Sequence, residues 1–245
     1  MLMLVSPINC CVYWAAIYNK VNRKNPMLKL YGFAVSNYFN MVKHVLLYKG
    51  VEFDEVLTFP GMDPAYNSKS PMGKVPCIET EHGYLAESSV ILNYIEAAYP
   101  ARPLLPVDEW RRAKAFELMK MAELYFELPA RRLFPEVLAG KAVSAEIKAE
   151  VRETIEKGCA ALSLLAKPAP YIFGEAMTMA DVALRYCLMT CKLATKAIYQ
   201  WDVVAEVPGL RAWDEMMASA DISKQLDQAM QEGMAAFLEA IKAKA

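Results

Sequence analysis

A carboxylate and a hydroxyl stand side by side at Glu87 and Ser88, just ahead of apolar residues at Val90, Ile91, Tyr94, Ile95 and Ala98. That spacing predicts a helix from 87 to 99 with both groups at its N-terminus, where free amides and the helix dipole favour anions. Upstream, Pro76 directly precedes the strand-like "CIET". Proline has no amide donor and fits poorly inside a central strand, so it marks an edge, a turn or a cis bond. The stretch "GKVPCIETEHGYLAESSVILNYI", residues 73–95, thus describes a polar corner where extended backbone meets a helix N-terminus. Its chemistry is hydrogen bonding and charge pairing. Metal and thiol chemistry have less support: no Cys-x-x-Cys pair or Cys/His cluster has zinc spacing, and six scattered cysteines make no disulfide framework. Cys77 falls in an alternating strand, and Cys187 and Cys191 sit one turn apart in an apolar helix, all reading as packing residues. The two histidines have no partner at motif spacing and read as polar surface residues.

The chain that must position this corner has 245 residues, enough for one large or two modest domains. With 27 basic and 28 acidic residues its net charge is −1, which gives no field favouring nucleic acid or an anionic membrane. The cysteine usage points to a reducing, cytoplasmic compartment. Residues 1–26 are apolar and then basic, the reverse of a signal peptide, and Ser6, Pro7 and Asn9 interrupt a run barely long enough to span a bilayer. They read as an extension ahead of the domain, with a membrane or partner anchor as the other reading.

From Met27, "LKLYGF" predicts a strand, "SNYFNMVKHVLLYKG" a helix closed by Gly50, and "VEFDEVLTF" a second strand. A loop rich in Pro, Gly, Asn and Ser covers 60–73, followed by a hairpin of "VPCIE" and "YLA" and the helix opened by Glu87. Three prolines in "PARPLLPVD" mark a linker at 101–108, which divides residues 27–100 from 109–245. Beyond it the pattern is helical only. A segment beginning "EWRRAKAFELMK" is bent or stopped by Pro129, another follows the N-cap candidate Ser144, and "TMADVALRYCLMTCKLATKAIY" is apolar nearly all round. In the last of these, Thr178 and Asp181 form a capping box, with Met177 and Val182 as its hydrophobic staple.

Three segments in this order, "LKLYGFAVSNYFNMVKHVLLYKG", "PMGKVPCIETEHGYLAESSVILNYIEAAYP" and "FGEAMTMADVAL", resemble the cytosolic glutathione transferases, serine-type and bacterial-like, from Met27 to about Leu238. The resemblance implies an α/β thioredoxin-like N-terminal domain (β-α-β-β-β-α) followed by an all-α helical bundle. It implies that Pro76 is cis and that Val75 pairs through its backbone with the cysteinyl part of glutathione. Glu87 would hold the γ-glutamyl ammonium, Ser88 and the helix amides its carboxylate, and Lys74 the glycyl carboxylate. Ser36 stands where serine-type members keep the residue that hydrogen-bonds the glutathione sulfur, although a serine before a helix is also a common N-cap. Asn37, Tyr38 and Asn40 are the alternative donors, with Tyr38 also spaced for core packing. An apolar electrophile would bind between the domains, near Phe33, Val35, Tyr125 and Phe126.

The function so implied is glutathione transfer to a small apolar electrophile, with glutathione as co-substrate, no metal, no nucleic acid and no membrane partner, in a cytoplasmic homodimer of detoxifying type. Two alternatives stand beside it: glutathione-dependent disulfide or peroxide reduction, which the absence of cysteine from 33–40 disfavours, and a non-catalytic binding module.

Overall fold

The computed structural model describes residues 28–61 and 63–243; the extension at 1–26 lies outside them. The strands and helices β1 (Leu28–Gly32), α1 (Asn37–Lys49), β2 (Phe53–Leu57), β3 (Cys77–Thr80), β4 (Gly83–Ala86) and α2 (Ser88–Ala98) follow one another in β-α-β-β-β-α order. They build a four-stranded sheet, β2-β1-β3-β4. β1 runs parallel to β2, from Leu28 opposite Phe53 to Gly32 opposite Leu57, and antiparallel to β3, with Tyr31 opposite Cys77. Alternation along β1 explains the layers. Leu28 and Leu30 join Val42, Val45, Ile91 and Ile95 in the main core, while Tyr31 packs with Phe33, Tyr66, Val75 and Cys77 in a smaller cluster. This is the order that the sequence pattern predicted and the thioredoxin-like half that the resemblance implied.

The stretch read as an irregular loop holds a 3₁₀ helix, Pro64–Ser68. Asp63 accepts the amide of Ala65 at 2.8 Å and Pro64 has its φ preset for the first position, so local capping suffices to form the turn.

The second half contains α3 (Glu109–Ala122), a π-helical turn (Glu123–Glu127), α4 (Leu128–Arg131), α5 (Phe134–Ala139), α6 (Ala145–Leu165), α7 (Met179–Tyr199), a 3₁₀ turn (Val203–Glu206), α8 (Leu210–Ser219) and α9 (Asp221–Ala243). The π turn has a local cause. Pro129 lacks an amide and its ring crowds the carbonyl four residues back, so the helix widens and the Leu128 amide bonds instead to Glu123.

Helix α7 is the central, nearly fully buried helix, packed against both α1 and α3. Its capping box forms as the sequence predicts: Asp181, fully buried, accepts the Thr178 amide at 2.7 Å and hydroxyl at 2.8 Å. The same carboxylate also accepts the Ile172 amide at 2.8 Å and Trp213 Nε1 at 2.9 Å. Between α2 and α3 the chain is held by Glu96, which accepts the amides of Leu104 and Leu105 at 2.8 and 2.9 Å and pairs with Lys49 Nζ at 2.6 Å. Both ionic partners are buried, so the segment joining the halves is anchored to α1 and α2.

Candidate active site

The sheet register decides which residues meet. Tyr31 opposite Cys77 and Cys77 opposite Ala86 place the end of β1, the start of β3 and the end of β4 at one end of the sheet. The segments that leave or enter there are 33–36, 74–76 and 87–88. Segments 33–36 and 87–88 leave the carboxyl ends of β1 and β4, and 74–76 enters the amino end of β3.

On the first segment, the Ser36 amide bonds the Phe33 carbonyl at 3.0 Å and Asn40 Nδ2 bonds the Ala34 carbonyl at 2.7 Å, which fixes the turn into α1. Gly32 is required here: a Cβ would lie 2.3 Å from the Phe39 ring. Ser36 is the N-cap of α1, its Oγ accepting the Phe39 amide at 3.3 Å. Accepting uses a lone pair and leaves the hydroxyl proton to be donated.

On the second segment the Val75–Pro76 peptide is cis. Tyr66 Oη and Ser70 Oγ donate to the Lys74 carbonyl at 3.2 and 2.8 Å, so the loop is held from below while the Lys74 side chain stays exposed. The Val75 side chain is packed in the cluster with Phe33 and Tyr66, which leaves its backbone to meet a ligand.

On the third segment Glu87 stands at the N-cap of α2 with φ 67 and ψ 112, the left-handed side of the map, and its side chain makes no cap bond. A bulky residue held there signals local strain of about 1–3 kcal/mol, which clusters at ligand sites. Glu87 is exposed and Ser88 is half-buried beside it, at a helix N-terminus whose first amides have no partner within the helix. A groove of ≈ 550 Å³ opens next to Glu87, lined by Lys69, Met72 and Tyr84 among others.

Of the alternative donors, Asn37 is taken up by other partners, whereas Tyr38 shares a crevice with Ser88. Asn37 is buried, and both amide hydrogens are committed, one to Glu127 Oε1 at 2.9 Å and one to the Tyr186 carbonyl at 3.2 Å. Its Oδ1 accepts from Arg131 at 2.7 Å, so nothing remains for a ligand sulfur. Tyr38 points into a narrow crevice between α1, α2, α3 and α7, beside Ser88, Glu123 and Cys187. Burial there, reinforced by the Glu127 carboxylate, pushes its phenol far above the usual range.

Of the apolar candidates, Phe33 stacks between Phe59 at 4.9 Å and Phe237 at 5.5 Å, and Val35 lies against Gly233 of α9. Phe126 instead is fully buried in the helical half, and Tyr125 is half-exposed; both crowd Gly158 of α6. The structure does not bring these two to Phe33. Phe237 takes that place, and it escaped the sequence reading because nothing in an amphipathic terminal helix says which end of the sheet it will cross.

His44 is also a correction. It is buried at 2% exposure, its Nδ1 3.0 Å from Tyr186 Oη, and burial with nearby Arg185 lowers its pKa to about 4. The α1 face that carries it turns toward α7 rather than solvent. His82 is exposed. Cys77 is fully buried and its thiol is pushed up to about 11 by burial; Cys159, Cys187 and Cys191 are buried too. Among the described residues no group of His, Cys, Asp and Glu is placed to hold a metal, and no helix is long and apolar enough to cross a membrane.

Comparison with known proteins agrees with this fold. Residues 30–103 match the family described as glutathione S-transferase, N-terminal domain. A glutathione S-transferase of Pseudomonas putida is 41% identical over 216 residues, covering 88% of this chain and 98% of that protein. The holo structure of maleyl pyruvate isomerase, a bacterial glutathione-s-transferase in Zeta class, superposes with a TM-score of 0.65 at 25% identity over 81% of this chain and 95% of its own. A Methylobacterium radiotolerans glutathione s-transferase in complex with glutathione sulfonate gives 0.70 at 22% identity, over 82% and 94%.

Proposed function

The chain belongs to the glutathione S-transferase family, and from that premise we propose how its residues carry out the transfer. The observation that carries the reading is the register that brings the segments bearing Ser36, Val75–Pro76 and Glu87–Ser88 to one end of the sheet. Glutathione lies across that end. Its γ-glutamyl ammonium pairs with Glu87, and its α-carboxylate meets Ser88 and the α2 N-terminal amides. The backbone of Val75 holds the cysteinyl unit, and Lys74 faces the glycyl carboxylate.

The sulfur then comes to the N-terminus of α1. A free thiol with a pKa of about 8.5 is only about 3% thiolate at neutral pH. Lowering that value by about two units requires about 2.7 kcal/mol of preferential stabilisation of the anion. The Ser36 hydroxyl and the positive end of α1 supply it. The thiol proton leaves to solvent, and the thiolate forms a carbon–sulfur bond with the electrophile. The displaced group, or the adjacent π system, takes the electron pair. Phe33, Val35 and Phe237 form the apolar wall that holds the electrophile beside the sulfur. A reductase that acts through its own thiol is disfavoured, since no cysteine occupies 33–40 and Cys77 is buried and protonated.

We assign the protein further to the cytoplasm and to a homodimer with a detoxifying role, with residues 27–100 as the glutathione-binding domain, 101–108 as linker and 109–245 as the helical domain. Light scattering tests the dimer. The test of the chemistry is the ultraviolet thiolate band of glutathione bound to the protein, followed against pH. A band that persists below neutral pH, and that moves upward in Ser36→Ala, supports the mechanism; a bound thiol titrating near its free value refutes it.

A further inference from the structure

The residue that follows Ser36 is tied across the molecule to the helical half. Asn37 Nδ2 donates to Glu127 Oε1 at 2.9 Å, Arg131 donates through one terminal nitrogen to Asn37 Oδ1 at 2.7 Å, and Arg131 Nε donates to Glu127 Oε1 at 2.6 Å. The three side chains close a ring of hydrogen bonds. Glu127 is fully buried, its second carboxylate oxygen has no hydrogen-bond partner, and Arg131 reaches solvent with part of its side chain.

Such an arrangement is a poor way to stabilise a helix interface. A buried carboxylate loses hydration that its pairing only partly returns, and apolar residues of similar size often do as well or better. What the ring supplies is position. Asn37 is the first residue of α1 and follows Ser36 directly, so anchoring its side chain holds the backbone from which the Ser36 side chain and the first α1 amides project. A second, independent feature serves the same end. The π turn ends at Glu127, and it is one residue wider than an α-turn, which resets the facing of the side chains that follow. Glu127 and Arg131, one turn apart, both reach Asn37.

We propose that Glu127 and Arg131 are positioning residues for glutathione activation, holding the Ser36 hydroxyl at the sulfur through Asn37. The helical half therefore tunes the sulfur chemistry as well as the electrophile pocket. This proposal rests on the reading of Ser36 as the sulfur's hydrogen-bond donor.

The experiment follows the thiolate band of bound glutathione against pH in the full chain and in Ser36→Ala, Asn37→Ala, Glu127→Ala, Glu127→Gln and the double variant Ser36→Ala/Asn37→Ala. Asn37→Ala and Glu127→Ala are expected to raise the apparent pKa of the bound thiol by roughly half a unit or more, since a hydrogen bond weakens steeply off axis. The dissociation constant of glutathione stays within about threefold, because Glu87, Ser88 and Val75 are untouched. Glu127→Gln keeps an acceptor for Asn37 and stays near wild type. Because the effect runs through Ser36, the double variant titrates where Ser36→Ala does. If Ser36→Ala shifts the band while Asn37→Ala and Glu127→Ala leave it at the wild-type value, the positioning role is refuted and the donor role stands. Additive shifts in the double variant likewise refute it. If Ser36→Ala itself shifts nothing, the donor reading falls and the proposal with it. Should Glu127→Ala fail to fold, Asn37→Ala, which leaves the Glu127–Arg131 pair intact, decides the matter alone.

Discussion

Ser36 holds two roles in this structure, and glycine and alanine separate them. As N-cap it accepts the Phe39 amide at a long 3.3 Å, and as donor it offers its proton to the glutathione sulfur. Replacing an N-cap serine by alanine costs about 0.5–2 kcal/mol of stability, whereas glycine costs only a few tenths. Both substitutions remove the donor. A hydrogen bond to a charged group is worth about 1.5–3 kcal/mol, so either variant raises the bound thiol's pKa by roughly one to two units. If the wild-type complex titrates about two units below the free thiol, near pH 6.5, the thiolate fraction at that pH falls from about one half to about 1–10%. Conjugation of a standard aromatic chloride, measured as kcat at saturating glutathione, then falls about 5- to 50-fold at pH 6.5. The fold difference is largest at and below about pH 6.5, shrinks as pH rises between the two pKa values and fades above about pH 8.5, where free thiol ionises unaided. Thermal melts report the other role: Ser36→Gly stays near wild type and Ser36→Ala melts lower. Loss of activity in Ser36→Ala with wild-type rates in Ser36→Gly would show that the serine acts as a cap alone, and would refute the mechanism.

Glu87→Gly relieves the positive φ while deleting the carboxylate, so calorimetry should find glutathione bound about tenfold more weakly with no loss of stability; tight binding would remove Glu87 from the site. His44, with its pKa lowered to about 4 in the fold against about 6.5 unfolded, makes the unfolded state the better proton acceptor between those values. Urea titrations should show stability falling by up to about 3 kcal/mol from pH 6.5 to 4, with a shallower slope in His44→Gln. Asp181→Ala orphans four buried donors, and at about 1–3 kcal/mol each should lower unfolding free energy by at least about 4 kcal/mol, a loss that denaturant midpoints would register.

What the sequence determined by itself is what short-range physics controls. Pro76 ahead of a strand, Glu87–Ser88 ahead of a helical pattern, Gly50 after one and the Thr178–Asp181 capping box each follow from backbone sterics and from donors within a few residues. The thioredoxin-like order of strands and helices was legible for the same reason. What only the tertiary structure decided is which faces meet. Tyr125 and Phe126 turned to α6 because a proline-induced π turn reset the helix, and Phe237 reached Phe33 because α9 crosses back over α1. His44 went inside because the same α1 face that packs the core also meets α7, and Asn37 was taken from the ligand by a carboxylate 90 residues away. A side chain's partners across such separations depend on crossing geometry between elements, and local periodicity carries no information about that.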